Sequence, residues 1–272
     1  MTELLARLER YYDAVPRAAA YAEDFGPLTL FVREGLGWPY YARPTLGVDG
    51  RVGRADVDRV RERQRRLGVP ECFEWVAETT PGLREAVEAS GLHVHAHPLM
   101  ALEPRAAGAV PARADGVDVR VLEPGDPAFP SALTVPHLAF AYPGTAIGTA
   151  GTSELDVARV LHAAPAALAA AEARVKDGLT VHAAAVDGTT ALCAGQYNPV
   201  GEVCEIVAVG TLPSARRRGL ALAVTSALVG HARARGLGTV FLSAGDEDVA
   251  RIYARIGFRR VGTALIAEPA AG

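Results

Sequence analysis

The sequence predicts an α/β (α+β) protein of two similar halves, each a mixed, mostly antiparallel twisted sheet flanked by helices. Three observations carry that expectation. A strand-like run over residues 202–212 breaks at Pro213-Ser214 and passes through Arg216-Arg217-Arg218-Gly219 into a helical run. Ahead of it, two strand-like runs flank Asp187-Gly188, a strong hairpin signal, which makes an antiparallel meander. Finally, the order strand, helix, Gly91-Leu92, strand recurs as strand, helix, Gly257-Phe258, strand, at an offset of 166 positions (257 − 91). That offset sets Gly53 on Gly219, Trp75 on Phe241 and Leu99 on Leu265. Similarity at domain length points to a duplicated fold.

Composition bounds the function. At 272 residues, half of them hydrophobic, the chain can bury one large core or two small ones. The net charge of −3 gives no global case for nucleic-acid binding. Cys72, Cys193 and Cys204 are odd in number and widely spaced, which fits a reducing cytoplasm with no disulfide framework and no zinc pattern. The first residues, Met1-Thr2-Glu3, carry an acid early and no long apolar run, so neither a signal peptide nor a membrane partner is expected.

In the first half, Thr2 is placed to cap a helix over residues 3–14, with Leu4, Leu5, Leu8 and Tyr12 on one face. Pro16 ends it or begins a second helix through Ala19, Ala20 and Tyr21. Residues 28–33 and 38–43 read as strands, 55–67 as a charged helix and 72–77 as a strand. Residues 81–89 read as a helix that stops at Gly91, and 92–102 as a strand. His93, His95 and His97 alternate along that last strand. They share a face, but no cysteine or carboxylate cluster accompanies them, so no metal is expected.

Residues 106–116, rich in proline, alanine and glycine, separate a first domain (1–105) from a second (117–272). The second opens on a strand at 117–122. Residues 127–140 are helical in part, interrupted by Pro130 and Pro136, and 142–151 form a small-residue loop. Ser153 is placed to cap a helix reaching Lys176. Strands follow at 179–186 and 190–196, a turn at 198–201, the strand at 202–212 and a helix at 221–235. A strand at 238–243 should run parallel to 202–212, because a helix connects them. A helix over 246–256 ends the pattern.

The basic turn is an anion site in outline. The first N–H groups of a helix have no partner within it, and the macrodipole adds partial positive charge there. Gly219 lets a ligand approach the backbone, and the three arginines offer forked donors suited to phosphate.

At these residues the chain resembles the GNAT superfamily of N-acetyltransferases, whose pyrophosphate loop reads Gln/Arg-x-x-Gly-x-Gly/Ala. Arg216, Gly219 and Ala221 fill the fixed places. The run ending Tyr253-x-x-x-Gly257-Phe258 is similar to a family segment as well, and the resemblance covers residues 117–268. It implies acetyl-CoA as co-substrate. Arg216, Arg217, Arg218, Gly219, Leu220, Ala221 and Leu222 would cradle the pyrophosphate. The backbone of Val207, Ala208 and Val209 would hold the pantetheine arm and acetyl carbonyl, where the family's parallel strands splay. Tyr253 matches the tyrosine that donates to the CoA sulfur. Asp246 stands near where many members carry a CoA-binding asparagine, and its charge departs from that pattern.

Glu205 lies fourteen positions before Gly219 (219 − 205), the spacing of the base glutamate in the histone-acetylating branch. On a strand it shares a face with Val203, Val207 and Val209, and a carboxylate among valines has its pKa raised by desolvation. Binding a cationic amine or pairing with an arginine are its other readings, and Glu202 is a weaker rival. His137, His162, His182 and His231 read as structural or exposed, and Cys193 and Cys204 as buried strand residues.

The first half lacks this equipment. Arg51-Val52-Gly53-Arg54 stands in place of the loop, Asp56 and Asp58 follow where phosphate would sit, and Val87 falls where the offset puts Tyr253. The chain thus resembles bacterial two-half (tandem) acetyltransferases with a degenerate first half. That half would bind no CoA. It would complete the sheet, wall the acceptor pocket or form a homodimer surface. The expected activity is acetyl transfer to the primary amine of a small molecule. A protein or peptide amine as acceptor, and a non-catalytic acyl-CoA sensor, are the alternatives.

Overall fold

The computed structural model describes residues 2–48, 51–102 and 116–270; residues 106–115 of the expected linker lie outside the described residues. Contacts divide the chain into two units, Met1–Leu99 with Arg260–Gly272, and Met100–Arg259. The described residues form eight α-helices and eleven strands, an α/β fold with mixed, mostly antiparallel pairing. No helix among them is long and apolar enough to cross a membrane.

In the first unit, α1 (Glu3–Ala14) opens on Thr2, whose hydroxyl accepts from the Leu5 amide at 3.3 Å. Strands β1 (Ala20–Asp24), β2 (Leu28–Arg33) and β3 (Ala42–Pro44) form an antiparallel meander. The helix α2 (Arg54–Leu67) then crosses over to β4 (Phe73–Val76), which lies parallel to β3. A short α3 (Leu83–Ala89) leads to β5 (His93–Leu102). The final strand of the chain, β11 (Phe258–Glu268), pairs antiparallel with β4, setting Leu265 against Trp75. The strand order is β1-β2-β3-β4-β11-β5. Val57 and Val60 of α2 and Leu83 and Val87 of α3 bury themselves against Leu28, Leu30, Phe73, Trp75 and Leu265.

Two expectations for this unit are corrected. Residues 19–21 do not continue a helix. Pro16–Ala18 is a single 3₁₀ turn and β1 begins at Ala20, because pairing with β2 satisfies its backbone. The strand expected over 38–43 shortens to β3, and Arg33 instead donates to the carbonyls of Leu36 and Trp38.

The second unit has the order β10-β9-β8-β7-β6. Here β6 (Asp118–Leu122), β7 (Val181–Asp187), β8 (Thr190–Val200) and β9 (Val203–Thr211) are successively antiparallel. After α7 (Leu220–Ala234), β10 (Thr239–Ser243) lies parallel to β9, as its helical connection requires. The helix α8 (Glu247–Ala254) follows. Each unit therefore carries the sequence antiparallel meander, helix, parallel strand, helix. Gly53 and Gly219 both sit at helix N-caps, on α2 and α7. Trp75 and Phe241, equally matched by the offset, are both buried.

Before β7 the structure differs from expectation at three places. Residues 129–141 form one continuous helix, α4 (Phe129–Ala141), with Pro130 in its first turn and Pro136 inside it. Residues 153–176 form two helices, α5 (Thr152–His162) and α6 (Pro165–Lys176), because Pro165 starts a new helix where its missing N–H costs nothing. The cap of α5 is Gly151 and not Ser153; the Glu154 carboxylate accepts from the Gly151 amide at 2.7 Å. The turn expected over 198–201 narrows, since β8 runs on to Val200.

A charged cluster lies inside the first unit. The buried Arg43 guanidinium donates to Glu9, and Glu9 also accepts from the Thr79 hydroxyl at 2.5 Å. Nearby, burial raises the Glu74 carboxyl to about 7, with Arg43 pulling it back down. A carboxyl raised in the folded state holds its proton while the unfolded chain has lost it. Its contribution is complete below about 4.5 and drains away as pH rises to about 7. Replacing Glu74 by Gln should therefore stabilise the protein at pH 8 by about 2 kcal/mol and change little at pH 4.5, read as denaturant midpoints at the two pH values.

Candidate active site

The site grows out of a mismatch between β8 and β9. Gln196 pairs with Val207 and Ala194 with Gly210, so Gly195 alone faces both Ala208 and Val209. This is a β-bulge, two residues opposite one. Ala208 takes φ 54°, a left-handed conformation that costs a non-glycine residue about 1 kcal/mol. The bulge also reverses the parity of β9. Tyr197 bonds His231 of α7 at 2.8 Å, so Tyr197 and its partner Ile206 face α7, while Val207, Glu205 and Asn198 face the other way. Past the bulge, Val209 turns to the α7 side and Gly210 to the α4 side. A Cβ on Gly195 would meet Val209 at 2.9 Å, and one on Gly210 would meet the Pro136 backbone at 3.0 Å. Both glycines are required by that closeness. Pro136 of α4 is the residue that lies against Gly210 there.

On its other edge β9 loses a neighbour. Its pairing with β10 covers only residues 203–205 against 239–241, ending at Glu205 and Phe241, although both strands continue. The strands part beside Val207, Ala208 and Val209, where the resemblance leads one to expect a splay.

The chain then turns through Pro213–Ala215, a 3₁₀ turn, into Arg216. Arg217 is left-handed at φ 65° and Gly219 at φ 76°; with Ala208, Arg217 completes the set of left-handed non-glycine residues among those described. The helix α7 starts at Leu220 with no side-chain cap and no acid in its first turn. By contrast, α1, α2, α5 and α8 each have an oxygen of their own on an early amide, from Thr2, Asp56, Glu154 and Asp246. The amides of Leu220, Ala221 and Leu222 find no acceptor among the described residues. Arg217 and Arg218 are exposed beside them. This is the local chemistry of an anion site.

Arg216 has a different task. Its guanidinium donates to the carbonyls of Ala139 and Ala146 at 3.2 Å each, and to Tyr142. It ties the end of α4 and the following loop to the basic turn. The loop is stitched again by Gly148 N–H to Pro213 O at 3.0 Å and Ser214 N–H to Ala150 O at 2.9 Å. This small-residue loop is thus fastened to the turn. Asp246 accepts from the Val249 amide at 2.8 Å and so caps α8. Nothing in the sequence around Arg216 distinguished a carbonyl anchor from a phosphate ligand.

Tyr253 sits on α8, 7% exposed, with its ring edge-on to Phe258 at 6.2 Å. Burial pushes its phenol pKa well up, and the neighbouring Cys193 adds to the shift. The group therefore keeps its proton at neutral pH. Glu205 lies half-buried on β9, between Asn198 of β8 and Phe241 of β10. His182 is buried, edge-on to Phe129 at 5.0 Å, and burial lowers its pKa to about 4. His137 stacks on His162 at 3.8 Å and is likewise lowered to about 4. Cys193 and Cys204 are buried free thiols, both held up to about 12 by desolvation.

In the first unit, the Asp56 carboxylate accepts at 2.9 Å from the amide of Gly53, the residue the offset matches to Gly219. Gly53 is extended at φ −99°, and Val87 is fully buried in α3. His95 approaches Glu268 at 3.7 Å on the exposed face of β5. Among the described residues no group of three His, Cys, Asp or Glu is placed to hold a metal.

Residues 184–265 match the family described as FR47-like protein. No curated protein matches the chain. Among solved structures, a GCN5-related N-acetyltransferase from Kribbella flavida is similar over 100% of this chain and 98% of its own, at 21% identity and a TM-score of 0.68. One from Sphaerobacter thermophilus is similar over 89% of this chain and 80% of its own, at 18% identity and 0.54. A tandem GNAT protein from the clavulanic acid biosynthesis pathway is similar over 90% and 79%, at 16% identity and 0.52. The chain has the GNAT N-acetyltransferase fold, with an FR47-like domain in its C-terminal part.

The two arginines should separate in a thermal melt. Arg216→Gln removes charged donors from the carbonyls of Ala139, Tyr142 and Ala146 and should cost about 1–3 kcal/mol of stability. Arg217→Gly relieves a left-handed residue and should gain about 0.5 kcal/mol after the entropy cost of glycine.

Proposed function

We propose that the second half is an acetyl-CoA-dependent N-acetyltransferase acting on the primary amine of a small molecule by direct transfer. One observation carries this reading. The bulge at Ala208 opens beside the strand splay, and the same strand feeds the uncapped N-terminus of α7. A thioester laid along the splay would have its carbonyl at the bulge and its pyrophosphate at the open amides and at Arg217 and Arg218. Arg216 supports that cradle from behind.

The roles follow from the chemistry. The neutral amine attacks the thioester carbonyl, a C–N bond forms and the C–S bond breaks. A backbone N–H within residues 207–209 is positioned for the oxyanion, where fixed donors stabilise the transition state most. Glu205 takes the proton from the amine. Tyr253, protonated at neutral pH, gives its proton to the departing thiolate. Acetyl-CoA is the co-substrate and no metal takes part. The first half binds no CoA, since Asp56 and Asp58 at the equivalent helix start repel a pyrophosphate. Three free cysteines suit a reducing cytoplasm.

The test is thiol release from acetyl-CoA across amines, amino acids, aminoglycosides and peptides. Turnover with small amines is expected, and Tyr253→Phe should lower kcat by about 10²-fold or more. Turnover with peptides alone would replace the proposed acceptor class. Clear thermal stabilisation by CoA with no turnover on any amine would make the chain a CoA sensor.

A second variant checks the cradle. Arg217→Glu with Arg218→Glu should leave the melting temperature in place and weaken CoA binding about 10-fold or more, measured by calorimetry.

A further inference from the structure

One polar row crosses the second sheet at the level of Glu205. Thr180 stands just before β7, Asn198 lies on β8 and Glu205 on β9, with Asn198 directly paired to Glu205. All three share the face turned away from α7, by the alternation that Tyr197 fixes. The row is wired from one end. Arg174 of α6 approaches the Thr180 hydroxyl at 3.2 Å, and that hydroxyl approaches Asn198 Oδ1 at 2.9 Å.

The polarity of this chain is set by Arg174. A guanidinium only donates, so the Thr180 oxygen accepts from it. Thr180 is 2% exposed, and its single hydroxyl proton needs an acceptor inside the protein. Asn198 Oδ1 is that acceptor. Flipping the Asn198 amide would aim two donors at an oxygen already accepting and strand the hydroxyl proton. With Oδ1 turned toward β7, the Nδ2 amide points to the other side, toward β9, where Glu205 is the paired residue.

We propose that Arg174, Thr180 and Asn198 form a one-way hydrogen-bond relay whose last donor, the Asn198 amide, positions the Glu205 carboxylate. Asn198 and Thr180 are positioning residues, acting through Glu205. A neutral donor fixes the orientation of a carboxylate and weakens it as a base less than a lysine or arginine partner would. Glu205 then points one lone pair at the acceptor side of β9 and is steadied at the other. The assignment of Glu205 as base rests on the acetyltransferase reading; the relay itself does not.

The side-chain amide signals of Asn198 in a ¹⁵N-correlated NMR spectrum of the full chain test this without any substrate. They are assigned by their loss in Asn198→Ala. Glu205→Gln should move one Asn198 amide proton upfield, because a charged acceptor becomes a neutral one. Thr180→Val should move both signals toward those of a solvent-exposed asparagine, since the amide is free to turn about its Cβ–Cγ bond, and Thr180→Ser should restore them. Unchanged Asn198 signals in Glu205→Gln, or in Thr180→Val, overturn the relay. Thiol release measured on Glu205→Gln separates the two ideas. Its loss with unmoved Asn198 signals leaves the base and removes the relay, whereas full activity with shifted signals keeps the relay and removes the base.

Discussion

The constraint on which the second unit depends is the two-against-one mismatch of Ala208 and Val209 with Gly195. One extra residue changes which way everything beyond it points. Without it, Val209 would face α4 and Gly210 would face α7. With it, Gly210 arrives opposite Pro136, where only a glycine leaves room, and Val209 packs toward Leu228 across Gly195. The contact of α4 with the sheet and the opening of β9 toward its parallel neighbour are thus two effects of a single insertion. A left-handed alanine costs about 1 kcal/mol, and packing on both faces of the sheet offsets it.

Arg216 extends the same logic beyond the strand. A charged side chain that donates to carbonyls at the end of one helix and in the loop after it does the work of a clasp. Two of those carbonyls, Ala139 and Tyr142, belong to the end of α4, where the last carbonyls lack partners further along the helix. The clasp frees Arg217 and Arg218 to remain exposed, so one arginine of the three is structural and two face solvent. Next to them the α7 amides stay open, while at the start of α2 the Asp56 carboxylate holds the Gly53 amide. The two helix starts differ in charge and in backbone: α2 carries Asp56 behind an extended Gly53, and α7 carries no acid in its first turn behind a left-handed Gly219.

Much of this was legible from the residues. Thr2, the Asp187-Gly188 hairpin, the strand–turn–helix around Gly219 and the repeat at Gly91 and Gly257 all act locally, and local signals survive in sequence. What was hidden depended on partners far along the chain. Pro136 reads as a helix breaker until Gly210 is seen to receive it. Ala20 and Tyr21 read as helical until β2 pairs with them. The bulge carries no glycine at Ala208 to announce it, because its glycine is on the facing strand at Gly195. Arg216 fits a phosphate motif by type and spacing, and only the position of three carbonyls gives it another task. The Thr180 hydroxyl and the Asn198 amide meet across two strands, eighteen positions apart in sequence.

The placement of the last strand bears on how the protein is made. Val76 pairs with Ala264, 188 positions later (264 − 76). At about 5–20 residues per second, β4 leaves the ribosome about 10–40 s before the strand that covers its edge. Through that interval a short run, Phe73–Val76, offers unpaired amides and carbonyls beside two large apolar side chains. The first unit begins before the second in the chain and is closed only after it, so its quality in the cell is a matter of timing as much as of stability.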